Sequence, residues 1–172
     1  MPKQNPQVAE AKRLLAENPE LASRFLLLAE PPPKQTCLRP LDVYEACKHL
    51  LLGFESERLV VVCVNRRHVV IAAETLTIGS DAFTIVDPRQ IYRWALKQKA
   101  PAAAIFLAHN HPSEDATPSQ QDIDVTRRIA AAGRVLGMPL LDHIIVGGGS
   151  WSSLSENGHV PTWGEESTGW TS

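Results

Sequence analysis

All ten glycines of this 172-residue chain lie at position 53 or later. Glycine reaches the positive φ of tight turns without strain, so a glycine-free stretch is poorly equipped for hairpins. The first fifty residues accordingly read as helices, over 8–16, over 19–29 and, after Pro31-Pro32-Pro33, over 41–52. In the last of these, Val43, Cys47, Leu50 and Leu51 fall at i, i+4, i+7 and i+8 and form one apolar face. The triple proline cannot continue a helix and reads as a stiff linker.

From Arg58 the hydrophobic period changes. LVVVCVN (59–65) and HVVIAAETL (68–76) are β-branched runs split by Arg66-Arg67, a hairpin pattern. Asp87-Pro88 opens a helix to Lys99 with Ile91, Trp94 and Ala95 inward, and AAAIFLA (102–108) reads as a fully buried strand. A helix from Pro118 to Leu136 is stopped by Gly137. LLDHIIVGG (140–148) is a further strand that pairs with WSSL (151–154) across a glycine turn. The expected architecture is α/β: a mixed sheet flanked by helices over 54–160, an N-terminal helical extension over 1–53 and a polar tail over 161–172.

Composition narrows the function classes. Seventeen Lys and Arg against nineteen Asp and Glu give a net charge of −2, which excludes a polybasic nucleic-acid coat and an acidic disordered tail. No apolar run approaches the roughly 18–20 residues that cross a bilayer, and the N-terminus carries no signal-peptide core, so a cytoplasmic protein without membrane association is expected. Cys37, Cys47 and Cys63 form no CxxC pair, and Cys63 within LVVVCV reads as a small buried thiol.

The chemistry concentrates in AHNHPSEDATPSQQDID, residues 108–124. A buried strand ends and presents His109 and His111; a loop follows, then a helix start at which Thr117 is a good N-cap, Pro118 fits the first turn and Gln120 completes a Thr-x-x-Gln capping box. Ser119 and Asp122 then stand three apart on one helical face, looking back at the histidines. Two imidazoles and one carboxylate suit zinc with an open fourth position, the arrangement of a catalytic site. Such a site also needs a base, and Glu57 and Glu74, beside and within the first two strands, are the candidates. On spacing alone the same residues also fit a polar loop, with Asp122 complementing the helix dipole.

H-x-H-x7-S-x2-D, met by His109, His111, Ser119 and Asp122, resembles the metal motif of the JAB/MPN+ (JAMM) metalloproteases. AHNHPSEDATPSQQD followed by LLDHIIVGG and SLSENG resembles the RadC-type branch, over about Glu57 to Gly158. The resemblance implies a cytidine-deaminase-like JAB/MPN fold, with His109, His111 and Asp122 as Zn2+ ligands and Ser119 steadying an oxyanion. It also implies Glu57, rather than Glu74, as the general base that activates water for attack on an amide carbonyl and returns the proton to the amine. The implied substrate is a protein or peptide, cut at a peptide or isopeptide bond. Two departures stand out. Glu114 follows HNHPS where the branch usually has glycine, and residues 1–52 lack the glycine-bearing helix-hairpin-helix of the longer, DNA-binding RadC proteins, as in short plasmid and prophage forms. A non-enzymatic DNA-repair or plasmid accessory factor and a metal-dependent nuclease are the competing functions.

Other features carry less. Asp142-His143 reads either as a pair that orients a ligand or as a buried structural pair. Gly147-Gly148-Gly149 lacks the Lys-Ser/Thr of a phosphate loop and reads as a turn. Arg89, Arg93, Lys97, Lys99, Arg127 and Arg128 read as solvated helix faces or a basic surface.

Overall fold

Two runs of β-branched and aliphatic residues are too apolar to face water on either side, and they become the middle of the sheet. The computed structural model describes residues 35–78 and 86–161, with 77 and 78 by backbone alone. The helices expected over 8–16 and 19–29, the proline linker and the tail beyond Pro161 lie outside the described residues. The elements are α1 (Pro40–Leu51), β1 (Arg58–Val64), β2 (Val70–Ile78), α2 (Pro88–Leu96), β3 (Ala104–Asn110), α3 (Gln120–Leu136), β4 (Leu140–Gly147) and β5 (Ser150–Ser153). All are in the α/β order expected from the hydrophobic pattern.

The strands form one five-stranded mixed sheet in the order β2-β1-β3-β4-β5. β1 runs antiparallel to both β2 and β3, β3 is parallel to β4, and β4 is antiparallel to β5. A parallel pair needs a long crossover, and the seventeen residues of α3 supply it. Alternation along the strands gives the sheet two apolar faces. On one, Val60, Val62, Val64, Phe106, Ile144 and Val146 pack with Val43, Cys47 and Leu51 of α1. On the other, Leu59, Val61, Cys63, Ile105 and Leu107 pack with Ile91 of α2 and Val125 and Ile129 of α3. The three cysteines are buried and unpaired, and burial pushes the Cys63 thiol up to about 12. Among the described residues no helix is long and apolar enough to cross a membrane.

Three boundaries differ from the sequence expectation. β2 begins at Val70 rather than His68, because the Asn65 side chain accepts the backbone N–H groups of Arg67 and Val69 (2.8 and 3.2 Å) and lengthens the turn. The helix expected to reach Lys99 stops at Leu96, where the Gln98 side chain donates to the Trp94 carbonyl. β3 is shifted from 102–108 to 104–110, since it pairs as far as Leu59↔His109 with β1 and Asn110↔Val146 with β4. His109 therefore lies inside the strand rather than just past it.

Candidate metal centre

The site is assembled where the end of β3 meets the start of α3. His109 and His111 are two residues apart in extended chain, so both rings leave on the α3 side of the sheet, while Asn110 between them leaves on the opposite side. His109 is completely buried, Asp122 nearly so, and His111 is partly open to solvent. Nε2 of His109 and Nε2 of His111 lie 2.9 Å apart. The Asp122 carboxylate closes the triangle, with Oδ1 3.2 Å from His109 Nε2 and Oδ2 3.4 Å from His111 Nε2.

The start of α3 differs from the Thr117 cap expected. Asp115 Oδ1 accepts the Thr117 backbone N–H (2.8 Å), folding 115–117 into a turn, and the helix begins at Gln120 with Ser119 as N-cap. Ser119 and Asp122 form a reciprocal capping box. Asp122 N–H donates to Ser119 Oγ (3.2 Å), and the Ser119 N–H and hydroxyl donate to Asp122 Oδ2 (2.7 and 2.6 Å). The Asp122 carboxylate is thus locked by the helix terminus. Ser119 looks at Asp122, not at the histidines.

Hydrogen-bond directions define which imidazole nitrogens bear lone pairs. A backbone carbonyl only accepts, so the 2.7 Å contact of His111 Nδ1 with the Asp115 carbonyl places a proton on that nitrogen. On the buried side, the Thr126 hydroxyl donates to the Asp122 carbonyl (2.6 Å) and lies 2.6 Å from His143 Nδ1, and His143 Nε2 lies 2.9 Å from His109 Nδ1. Burial holds His143 well below the usual histidine range, hence neutral. Burial also pulls His109 down, against Asp122. His111 is raised, first by its hydrogen bond to Asp122 and further by the charges of Asp122 and Glu57. Burial pushes the Asp122 carboxyl up, but its hydrogen bonds with His109, His111 and Ser119 outweigh this and hold it well below the usual carboxylate range.

These three side chains suit a metal ion. Two Nε2 atoms facing each other at 2.9 Å need a cation or a proton between them and the carboxylate. Ligand atoms about 2.0–2.1 Å from a tetrahedral zinc stand roughly 3.3 Å apart, and the three edges here are 2.9, 3.2 and 3.4 Å. Among the described residues this is the one such group of His, Cys, Asp and Glu.

The chain matches the RadC-like JAB domain family over residues 37–159. It belongs to that family. A UPF0758 protein of Methanosarcina barkeri is 36% identical over 141 residues, 82% of this chain and 60% of that one. A UPF0758 protein of Caldanaerobacter subterraneus is 38% identical over 152 residues, 88% of this chain and 64% of the relative. Another, from Rubrobacter xylanophilus, is 38% identical over 157 residues, covering 91% and 67%. This RadC-like JAB domain thus spans about three-fifths to two-thirds of the length of these relatives.

The two candidate bases lie in different surroundings. Glu74 lies on the edge strand β2 and hydrogen-bonds the Trp94 indole. Glu57 lies just before β1, and its charge is felt by His111. Its segment is held by Asn110, a residue that motif spacing passed over. The Asn110 amide donates to the carbonyls of Phe54 and Ser56 (3.2 and 3.1 Å), and its oxygen accepts the Arg58 N–H (2.8 Å). The backbone is therefore pinned on both sides of Glu57. The i,i+2 alternation of a strand places Asn110 opposite the histidines, but no sequence signal identifies what it would reach.

The pair Asp142-His143 divides its labour. His143 turns to His109, whereas Asp142 turns to the other face, where it accepts Ser153 Oγ–H (2.6 Å), Ser155 N–H (2.9 Å) and His143 N–H (2.7 Å). Asp142 is thus held in structural bonds, while His143 contacts His109. The loop from His111 to Ala116 rests on the glycine turn after β4: a Cβ at Gly147 would lie 2.7 Å from Ala116 N and Asp115 C. Glu114, where the branch usually has glycine, adopts φ +63°, the region in which glycine is least strained. A groove of about 420 Å³ opens beside His111, lined by Phe54, Glu55, Asn110, Glu114 and the glycine turn, with no Lys or Arg among its described lining residues. Arg89, Arg93, Lys97, Lys99, Arg127 and Arg128 are exposed and do not line it.

Proposed function

We propose that this chain is a zinc-dependent hydrolase that cleaves a peptide or isopeptide bond, with His109, His111 and Asp122 holding the metal. The observation that carries the reading is the cluster of two imidazole Nε2 atoms and one carboxylate, whose His111 also lines a groove. Zinc, when bound, supplies Lewis acidity that makes water nucleophilic near neutral pH. Glu57 takes the proton from the attacking water and returns it to the departing amine. Asn110 keeps Glu57 at its station by tying down the backbone on either side. Ser119 steadies the oxyanion only by turning its hydroxyl away from Asp122 Oδ2, where it now donates. Asp122 would still retain the Ser119 N–H.

The groove favours an amide over a phosphodiester, because Glu55 and Glu114 repel a polyanion. A nuclease reading is further weakened by a single ligand set, where paired metals are the common solution. The test is metal analysis together with turnover of a fluorogenic peptide and lysine-isopeptide library. One zinc per chain is expected, lost in Asp122→Ala. In Glu57→Gln zinc is kept and turnover falls by about 10²–10⁴-fold. Wild type that takes up no zinc, or Glu57→Gln with unchanged turnover, sinks the reading. DNA binding that is unaffected by Glu57→Gln, with no hydrolysis of the library, favours the accessory factor instead.

A further inference from the structure

We infer that His143 and Thr126 are positioning residues that set the tautomer of His109, so that its Nε2 faces the metal as a lone pair. The inference rests on the metal reading proposed above and concerns how the buried ligand is prepared before any metal arrives. The decisive group is the Thr126 hydroxyl, which owns a single hydrogen. That hydrogen goes to the Asp122 carbonyl one helical turn earlier, at 2.6 Å. Toward His143 Nδ1, also at 2.6 Å, the hydroxyl oxygen therefore accepts, and His143 carries its proton on Nδ1. Complete burial disfavours a charged ring, so His143 presents a bare Nε2 to His109 Nδ1, 2.9 Å away. That contact needs a proton on His109 Nδ1, which leaves His109 Nε2 unprotonated. The direction of each bond fixes the next.

All three side chains are completely buried, so water does not reach in to correct a wrong tautomer. The opposite assignment would put the His109 proton on Nε2, directly between the ligands, and would leave the Asp122 carbonyl without the Thr126 hydroxyl. The chain also closes on itself. Thr126 bonds the backbone of Asp122, another member of the triangle, so one hydroxyl registers the helix that carries the carboxylate against β4, whose His143 meets the His109 ring. His111 needs no such device, because the Asp115 carbonyl fixes its tautomer directly.

The test uses the full chain, stripped of metal and labelled with 15N, with imidazole protonation read by long-range 1H–15N correlation spectra. In the wild type, His109 and His143 are expected to be protonated on Nδ1. Thr126→Val keeps the shape but removes both bonds. It is expected to mix the His109 tautomers and to weaken zinc binding, measured by competition with a chromogenic chelator, by about 10- to 100-fold. Thr126→Ser restores the hydroxyl and keeps the wild-type tautomers and affinity. His143→Gln, whose side-chain oxygen can accept from His109, loses less affinity than His143→Leu. A merely structural role would lower thermal stability in Thr126→Val yet leave tautomer and zinc affinity untouched, and that result overturns the inference. If Thr126→Val does not fold, a wild-type His109 protonated on Nε2 overturns it equally. A wild type with the expected tautomers and bound zinc but no hydrolysis defeats the hydrolase reading while upholding the relay. A wild type that takes up no zinc overturns both.

Discussion

The two faces of the sheet are built from the same strands and do different work. Toward α1, Val60, Val62, Phe106, Ile144 and Val146 make an apolar wall, and its buried polar side chains Asp142 and Asn110 are taken up by structural bonds. Toward α3, the wall of Val61, Ile105 and Leu107 gives way to His109, His143, Thr126 and Asp122 within one helical turn. The contrast teaches that a buried polar patch persists where each member finds a partner of the right donor or acceptor sense. Adjacent residues, such as Asp142 and His143, fall on opposite sides of that divide because a strand alternates.

If the α1 face serves stability alone, damage there should spare the metal. Ile144→Ala, at a completely buried position, is expected to cost about 2–5 kcal/mol in denaturant unfolding and to leave zinc affinity unchanged. Loss of zinc uptake in a folded Ile144→Ala protein would dissolve the distinction between the faces. Asn110 works across the divide. Asn110→Ala removes three bonds to the 54–58 segment and is expected to cost about 1–3 kcal/mol, with zinc kept and turnover lowered. Faster amide exchange at Arg58 reports the loosening, and unchanged exchange would deny Asn110 its holding role.

Proton concentration separates the faces more gently. In the metal-free protein His111 is raised by Asp122 above its ordinary value of 6.5, so its contribution is complete below about 6.5 and disappears as pH rises through the raised value. Asp122 is lowered from 3.8, so its contribution is present above 3.8 and disappears on acidification below it. Thermal melts of metal-free wild type should therefore lose their advantage over Asp122→Asn on going from pH 6 to pH 9, and Ile144→Ala should keep the wild-type pH trend. Zinc displaces the His111 proton, so its stabilising effect should grow across the same interval. The smallest effect is expected at Glu114. Glu114→Gly relieves the left-handed backbone, and a gain of about 0.5–1 kcal/mol in unfolding free energy, read as a higher Tm, is expected. A lower Tm would mean that the Glu114 side chain holds the loop.

The His109–His111–Asp122 cluster is legible in the sequence because its geometry is local. His109 and His111 share a strand face, and Asp122 sits in the first turn of the next helix, so period and spacing bring them together. Element order and both central strands were legible for the same reason. The cap of α3 was misassigned to Thr117 because two hydroxyl residues stood two apart, and the choice fell to carboxylates: Asp115 consumed the Thr117 N–H, and Asp122 answered Ser119. The supporting residues were hidden by distance along the chain. Asn110 reaches partners 52–56 residues away, and His143 meets His109 across 34. Thr126 left one trace, its i,i+4 relation to Asp122, but nothing in that spacing reveals an imidazole arriving from the next strand. In the sequence only the family resemblance separates Glu57 from Glu74; the Trp94–Glu74 hydrogen bond joins β2 to α2, a contact that no spacing announces.

Asn110 sits between the two histidines, and this interleaving makes a gauge of the His-Asn-His tripeptide. The gap between the Glu57 segment and the two histidines is set across one pleat of one strand, not summed over the many contacts of the domain. When the sheet breathes, twists or is repacked by mutation, the segment bearing Glu57 travels with β3 and the spacing survives the motion. Substitutions elsewhere in the core can therefore accumulate without changing the interval between the 54–58 segment and the two histidines.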